Sequence, residues 1–150
     1  MKRINFLLII AVVFLGATIV LSGCKKKSDT TPTVTTVKGT ASFPAGVSGD
    51  LSNCKVSLYT GLTEWDNNNP VKYVSVVGSG ANVVFSMTGV LPGNYYLDVW
   101  KDIDNSGTWT SGDYVGWYGT GSYGAPALTQ FQISEGGTFS VAITMYMIAK

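Results

Sequence analysis

The twelve residues Asp102-Ile103-Asp104-Asn105-Ser106-Gly107-Thr108-Trp109-Thr110-Ser111-Gly112-Asp113 space oxygen donors as a hard cation requires. Asp102, Asp104 and Ser106 occupy alternate positions, Gly107 follows, and Asp113 closes the run. Alternate residues of a tight loop aim their side chains at one centre, and the glycine permits the turn that brings the Thr108 carbonyl round. Calcium takes six to eight oxygens and tolerates irregular geometry. The expected ligands are therefore Asp102, Asp104, Ser106, Thr108 through its carbonyl, and Asp113. The alternative is a polar loop closed by Asx turns that binds nothing.

The spacing resembles the calcium loop of the EF-hand, D-x-[DN]-x-[DNS]-G-x5-[ED]. Two features depart from it. Asp113 stands where glutamate is usual, so its carboxylate is one methylene shorter and reaches an ion through one oxygen or a water. The flanks, Tyr95 to Trp100 and Tyr114 to Tyr118, are aromatic and β-branched, which predicts strands where an EF-hand has helices. The expectation is a calcium loop set on a β-connection, stabilising the fold without catalysing or switching.

The elements that must carry this loop begin after a separate leader. Lys2 and Arg3 precede an apolar run from Phe6 to Leu21, and Leu21-Ser22-Gly23-Cys24 follows. This is the pattern of a secretory signal peptide. Its end is similar to the lipobox of bacterial lipoproteins. The resemblance implies that residues 1–23 are removed and that Cys24 carries lipid, anchoring the protein to a membrane of the cell envelope, facing periplasm or exterior. A retained transmembrane helix is the rival, but the run is shorter than the ~20 residues a span needs. Residues 24–36, including Lys25-Lys26-Lys27 and a Thr-rich stretch, are expected to be a flexible linker. The lysines would lie against anionic headgroups or serve only solubility.

Residues 37–150 are expected to form one domain. From Val37 onward there are five basic and eight acidic residues, a net charge of −3. That balance argues against nucleic acid, which needs a basic stripe. The chain has no histidine, which removes Ser-His and Cys-His nucleophile systems and most catalytic zinc sites, so no enzymatic activity is expected. With Cys24 lipidated, Cys54 has no partner in the chain and is expected to be a buried, unpaired thiol.

Short alternating segments separated by turn residues predict strands near 37–43, 55–60, 71–77, 82–88, 95–101, 114–118, 130–134 and 138–147. Val56 and Leu58, then Val83, Phe85 and Met87, then Phe139, Val141, Ile143 and Met145 form the inward stripes. Leu91-Pro92-Gly93-Asn94 predicts a type II turn. No segment of the domain shows helical periodicity. The fold class is all-β, an antiparallel β-sandwich of seven or eight strands. Val37-Lys38-Gly39, Cys54-Lys55-Val56-Ser57-Leu58-Tyr59 and Leu91-Pro92-Gly93-Asn94-Tyr95-Tyr96 carry a further resemblance over residues 37 to 101. They are similar in order and spacing to the transthyretin-like domains, which include the carboxypeptidase regulatory-like and collagen-adhesin B-type modules and share the immunoglobulin-like sandwich. The resemblance implies an accessory or structural role.

The partner would then be an envelope protein or a glycan. A carbohydrate-binding module is the alternative function, using exposed Trp65, Trp109, Trp117 and Tyr123; strand aromatics that pack on each other are the competing explanation. Simple antiparallel connectivity puts Trp109 at the end of the sandwich shared with the Pro44–Asn53 loop. It puts Trp65 and Tyr123 at the opposite end, so one platform from all three is not expected.

Overall fold

The computed structural model describes residues 34–149; the leader, Cys24 and most of the linker lie outside the described residues. Eleven strands and one short helix follow in order: β1 (Thr36–Ser42), β2 (Lys55–Tyr59), α1 (Leu62–Asp66), β3 (Lys72–Ser75), β4 (Asn82–Thr88), β5 (Gly93–Lys101), β6 (Tyr114–Trp117), β7 (Gly119–Ser122), β8 (Ala125–Leu128), β9 (Phe131–Ile133), β10 (Thr138–Thr144) and β11 (Tyr146–Met147). One sheet has the order β10-β1-β4; the other has β11-β6-β5-β2-β3, with β9 paired to the start of β5. β7 and β8 form a separate hairpin. The protein is an all-β sandwich.

Period-two alternation accounts for the core. In β4, Val83, Phe85 and Met87 are buried while Asn82, Val84, Ser86 and Thr88 are exposed. They meet Val37 and Ala41 of β1, Val56 and Leu58 of β2, and Leu97 and Val99 of β5. Cys54 is fully buried and unpaired among them, and burial pushes its thiol up to about 12. In the last stripe Ile143 and Met145 are buried, but Phe139 and Val141 are only partly so, because β10 is the edge of its sheet.

Four local expectations change. The strand expected over 138–147 breaks at Met145: Thr138–Thr144 pairs with β1, and Tyr146–Met147 pairs with β6 in the other sheet. A strand that switches sheets closes one corner of a sandwich. Gly116 makes the crossing possible, since a Cβ there would lie 2.6 Å from the Thr144 carbonyl oxygen. β1 and β10, the first and last long strands, run parallel, the one departure from antiparallel pairing among the described strands. The Gly-rich stretch 119–128 is a hairpin, and Leu62–Asp66 makes a single helical turn where a polar loop is expected.

The type II turn is also overturned. Gly93 is extended and pairs with Ile133 as the first residue of β5; Gly89, at φ +65°, takes the left-handed conformation instead. Tyr95 secures this corner by donating its hydroxyl to the Leu91 carbonyl at 2.8 Å. Thr35 and Thr36 belong to the fold: the Thr35 carbonyl accepts the Gly89 amide at 2.9 Å, and its hydroxyl oxygen accepts the Gly136 amide at 2.9 Å.

Candidate metal centre and the pocket beside it

β5 and β2 show why the loop between β5 and β6 lies where it does. Leu97, Asp98, Val99 and Trp100 are all buried, as are Val56, Ser57, Leu58 and Tyr59, so both faces of this sheet are covered. Directly opposed residues share a face. The registers Ser57↔Asp98, Lys55↔Trp100, Trp100↔Val115 and Asp98↔Trp117 therefore place Asp98, Trp100, Val115 and Trp117 together on the outer face. Trp100, Val115, Trp117 and Ile148 form a second small core there, with Trp109 and Leu128 packed on it. Residues 102–113 fold back to cover this apolar surface.

Within the loop the acidic side chains organise the backbone. The Asp102 carboxylate accepts the amides of Ser106 (3.1 Å) and Gly107 (2.8 Å). Asp104 accepts the Ser106 amide (3.0 Å) and the Thr110 hydroxyl (2.9 Å). The Ser106 and Thr110 side chains beside it, with the Ser106 amide, hold the Asp104 carboxyl down at about 2. Asn105 and Gly107 take positive φ, +56° and +76°, which turns the chain between the donors. The Ser106 hydroxyl donates to the Thr108 carbonyl at 2.9 Å, so two of the expected ligands lie against each other.

Asp113 differs from the other two. It is fully buried, and three N–H groups converge on it: Ile103 N on Oδ1 (2.9 Å), and Trp100 Nε1 (3.0 Å) and Thr110 N (3.1 Å) on Oδ2. Its backbone carbonyl accepts the Ile148 amide at 2.9 Å, tying the loop to the end of the chain. Asp113 thus anchors the loop to the second core. Asp102, Asp104 and Asp113 bring one oxygen each within 4.8 Å of one another, so the cluster could hold a metal ion.

The sequence-based separation of the aromatic residues is overturned. Trp65 and Trp109 meet edge to face at 5.5 Å, Trp109 stacks on Trp117 at 6.3 Å, and Tyr123 lies 6.3 Å from Trp109. The loop does begin at the expected end, where Lys101 Nζ donates to the Asp50 carbonyl at 2.6 Å. It then doubles back over the outer face, and α1 does the same from the other end. The four rings share one region, but much of their surface is spent on mutual packing: Trp117 is 7 % exposed.

Between α1 and the loop lies a cavity of about 260 Å³, walled by Trp65, Trp100 and Trp109 with Tyr59, Asp66, Asn68 and Asp98 among its other lining residues. Asp98 is 3 % exposed and accepts Trp65 Nε1 at 2.9 Å and the Tyr59 hydroxyl at 3.3 Å. Burial pushes its carboxyl up to about 7, against the lowering effect of those donors and of Lys55. Burial and the Asp98 charge together raise the Tyr59 phenol. The role of Asp98 was not legible in the sequence: an acid at an outward position of a strand normally faces water. The signal was its place between Tyr96 and Trp100 on that face, where an outward aromatic calls for cover.

Comparison of the chain with family models, curated proteins and solved structures found no match. The residues themselves therefore carry the functional reading.

The raised Asp98 carboxyl has a consequence for stability. The native state holds this proton more tightly than an unfolded chain, whose carboxyl titrates near 3.8. The contribution of Asp98 to stability is therefore fully present below that value, is lost as pH rises through about 7, and is flat beyond. Asp98→Asn removes the ionisation while keeping the shape. The variant should match the parent chain near pH 4 and exceed it by on the order of 2 kcal/mol at pH 8 in chemical denaturation. Equal losses in parent and variant between the two pH values would show that Asp98 carries no such penalty.

Proposed function

We propose that the chain is a lipid-anchored protein of the bacterial cell envelope that displays a calcium-stabilised β-sandwich, with a structural or protein-interaction role. The observation that carries the calcium reading is the approach of the Asp102, Asp104 and Asp113 oxygens to within 4.8 Å in a loop that also holds Ser106 and Thr108. A hard divalent cation relieves the mutual repulsion of three carboxylates and ties the covering loop to the outer face of the sheet. The anchor rests on Leu21-Ser22-Gly23-Cys24 in the sequence. Carbohydrate binding by Trp65, Trp109, Trp117 and Tyr123 is less well supported, because the rings stack on one another and Trp117 is largely covered.

Thermal melts of the full chain in chelator and in calcium test this reading. Extracellular calcium modules have Kd values on the order of 10⁻⁴ to 10⁻³ M. Millimolar calcium should then add roughly 1 kcal/mol or more, raising Tm by about 3 °C or more. Magnesium should do much less. Asp102→Ala and Asp104→Ala should each abolish the calcium response. A melting temperature unchanged between chelator and excess calcium, with no heat of binding in calorimetry, would reduce the loop to a closed polar turn.

A further inference from the structure

The cavity between α1 and the loop joins two features. Its walls are indoles, and its lining includes a buried carboxylate. Trp65 and Trp109 stand nearly perpendicular, at 76°, and form a corner, with Trp100 as a third wall. Indole faces carry negative charge density and attract cations more strongly than other rings do. Asp98 is fixed by its bonds from Trp65 and Tyr59, both of which favour the ionised form, while Oδ1 receives only a long 3.4 Å contact from Tyr59 and retains acceptor capacity. Asp66 adds a second carboxylate, and among the described residues no lysine or arginine lines the cavity. Lys55, the basic residue whose field reaches Asp98, has its ammonium over Trp100 and Tyr73, at 5.4 and 5.8 Å from the ring centroids. Among the described residues Asp98 makes no ion pair.

A buried carboxylate without a countercharge is costly unless it is protonated or a cation sits beside it. At about 260 Å³ the space falls below the range of roughly 300–1,000 Å³ usual for drug-sized ligands, so it suits one compact group and not an extended chain. We propose that this cavity binds an alkylammonium group, held against the Trp65, Trp100 and Trp109 rings and neutralised by Asp98. A neutral sugar could use the same rings and hydrogen-bond to Asp98 and Asn68, but it would supply no countercharge to the ionised Asp98. The group could come from a quaternary ammonium such as choline or from a primary amine such as a lysine side chain. The cavity shares Gly107, Thr108 and Trp109 with the loop, but the groups proposed to hold the ammonium, Asp98 and the indoles, are not among the calcium ligands.

The test is calorimetric titration of the full chain, with indole fluorescence as a second readout, in calcium and in chelator. The probes are choline, butylammonium, the neutral choline isostere 3,3-dimethylbutan-1-ol, and methyl glucoside. Saturable binding of choline or butylammonium, at least tenfold tighter than the neutral isostere, is expected in both media; which of the two binds more tightly identifies the source. Asp98→Asn, which preserves shape, should weaken that binding at least tenfold while the chain stays folded by circular dichroism, and Trp109→Ala should weaken it as well. The proposal is overturned if neither ammonium binds at millimolar concentration, if the isostere binds as tightly, if methyl glucoside binds in their place, or if folded Asp98→Asn binds like the parent.

Discussion

Asp113→Ala should lower stability by about 4 kcal/mol, and should do so in chelator as well as in calcium. The side chain is fully buried, and its removal strands three N–H donors, those of Trp100, Ile103 and Thr110. A buried donor left without a partner costs about 1–3 kcal/mol, and the sum is reduced because the loop can open to admit water. Opening lifts Trp109 from Trp100 and Trp117, so part of the second core is exposed with it. Asp102 and Asp104 are less buried and bond within the loop, so Asp102→Ala and Asp104→Ala should act mainly by removing the calcium response. The measurement is the denaturation midpoint of each variant with and without calcium. If Asp113→Ala in chelator melts with the parent chain, the converging hydrogen bonds contribute nothing and Asp113 acts only as a ligand.

Gly39→Ala should be as damaging, at roughly 3–5 kcal/mol, through packing alone. Gly39 lies mid-strand in β1, paired with Val141 on one side and Phe85 on the other. A Cβ there would fall 1.9 Å from the Val141 carbonyl oxygen and 3.0 Å from the Phe85 ring. The obstruction is backbone of a neighbouring strand, which no rotamer change relieves. Either β1 and β10 separate or the alanine excludes the parallel pairing altogether. Loss of amide protection confined first to β1 and β10 in hydrogen exchange would locate the damage. Gly46→Ala is the control: its φ of +84° makes substitution mildly strained, but nothing lies within 4 Å of the added carbon. Equal stability losses in the two variants would mean that the close approach at Gly39 is not what requires glycine.

Local patterns determined what was readable from the amino acids alone. Alternation placed Val56, Leu58, Val83, Phe85 and Met87 inward, and all five are buried. It did so because a strand's side chains alternate between faces wherever the strand sits. The loop spacing brought Asp102, Asp104 and Asp113 together for a similar reason, since positive φ at Asn105 and Gly107 turns a short segment on itself. The burial of Cys54 followed from its place before an alternating strand.

Tertiary structure decided the rest, because the determining contacts join residues far apart in the chain. The switch of sheets at Met145 needs the space above Gly116, and the parallel pairing of β1 with β10 joins the two ends of the domain. Alternation reports that one face of a strand is apolar; it does not say what covers the other. Asp98, Trp100 and Trp117 lie outward by pattern yet are buried, since α1 and the loop after Lys101 fold over them from opposite ends. That fold-over makes Asp113 an anchor, brings Trp65 beside Trp109, and encloses a carboxylate between indoles. An apolar outer face must find cover to escape water, and the sequence does not specify which loops supply it.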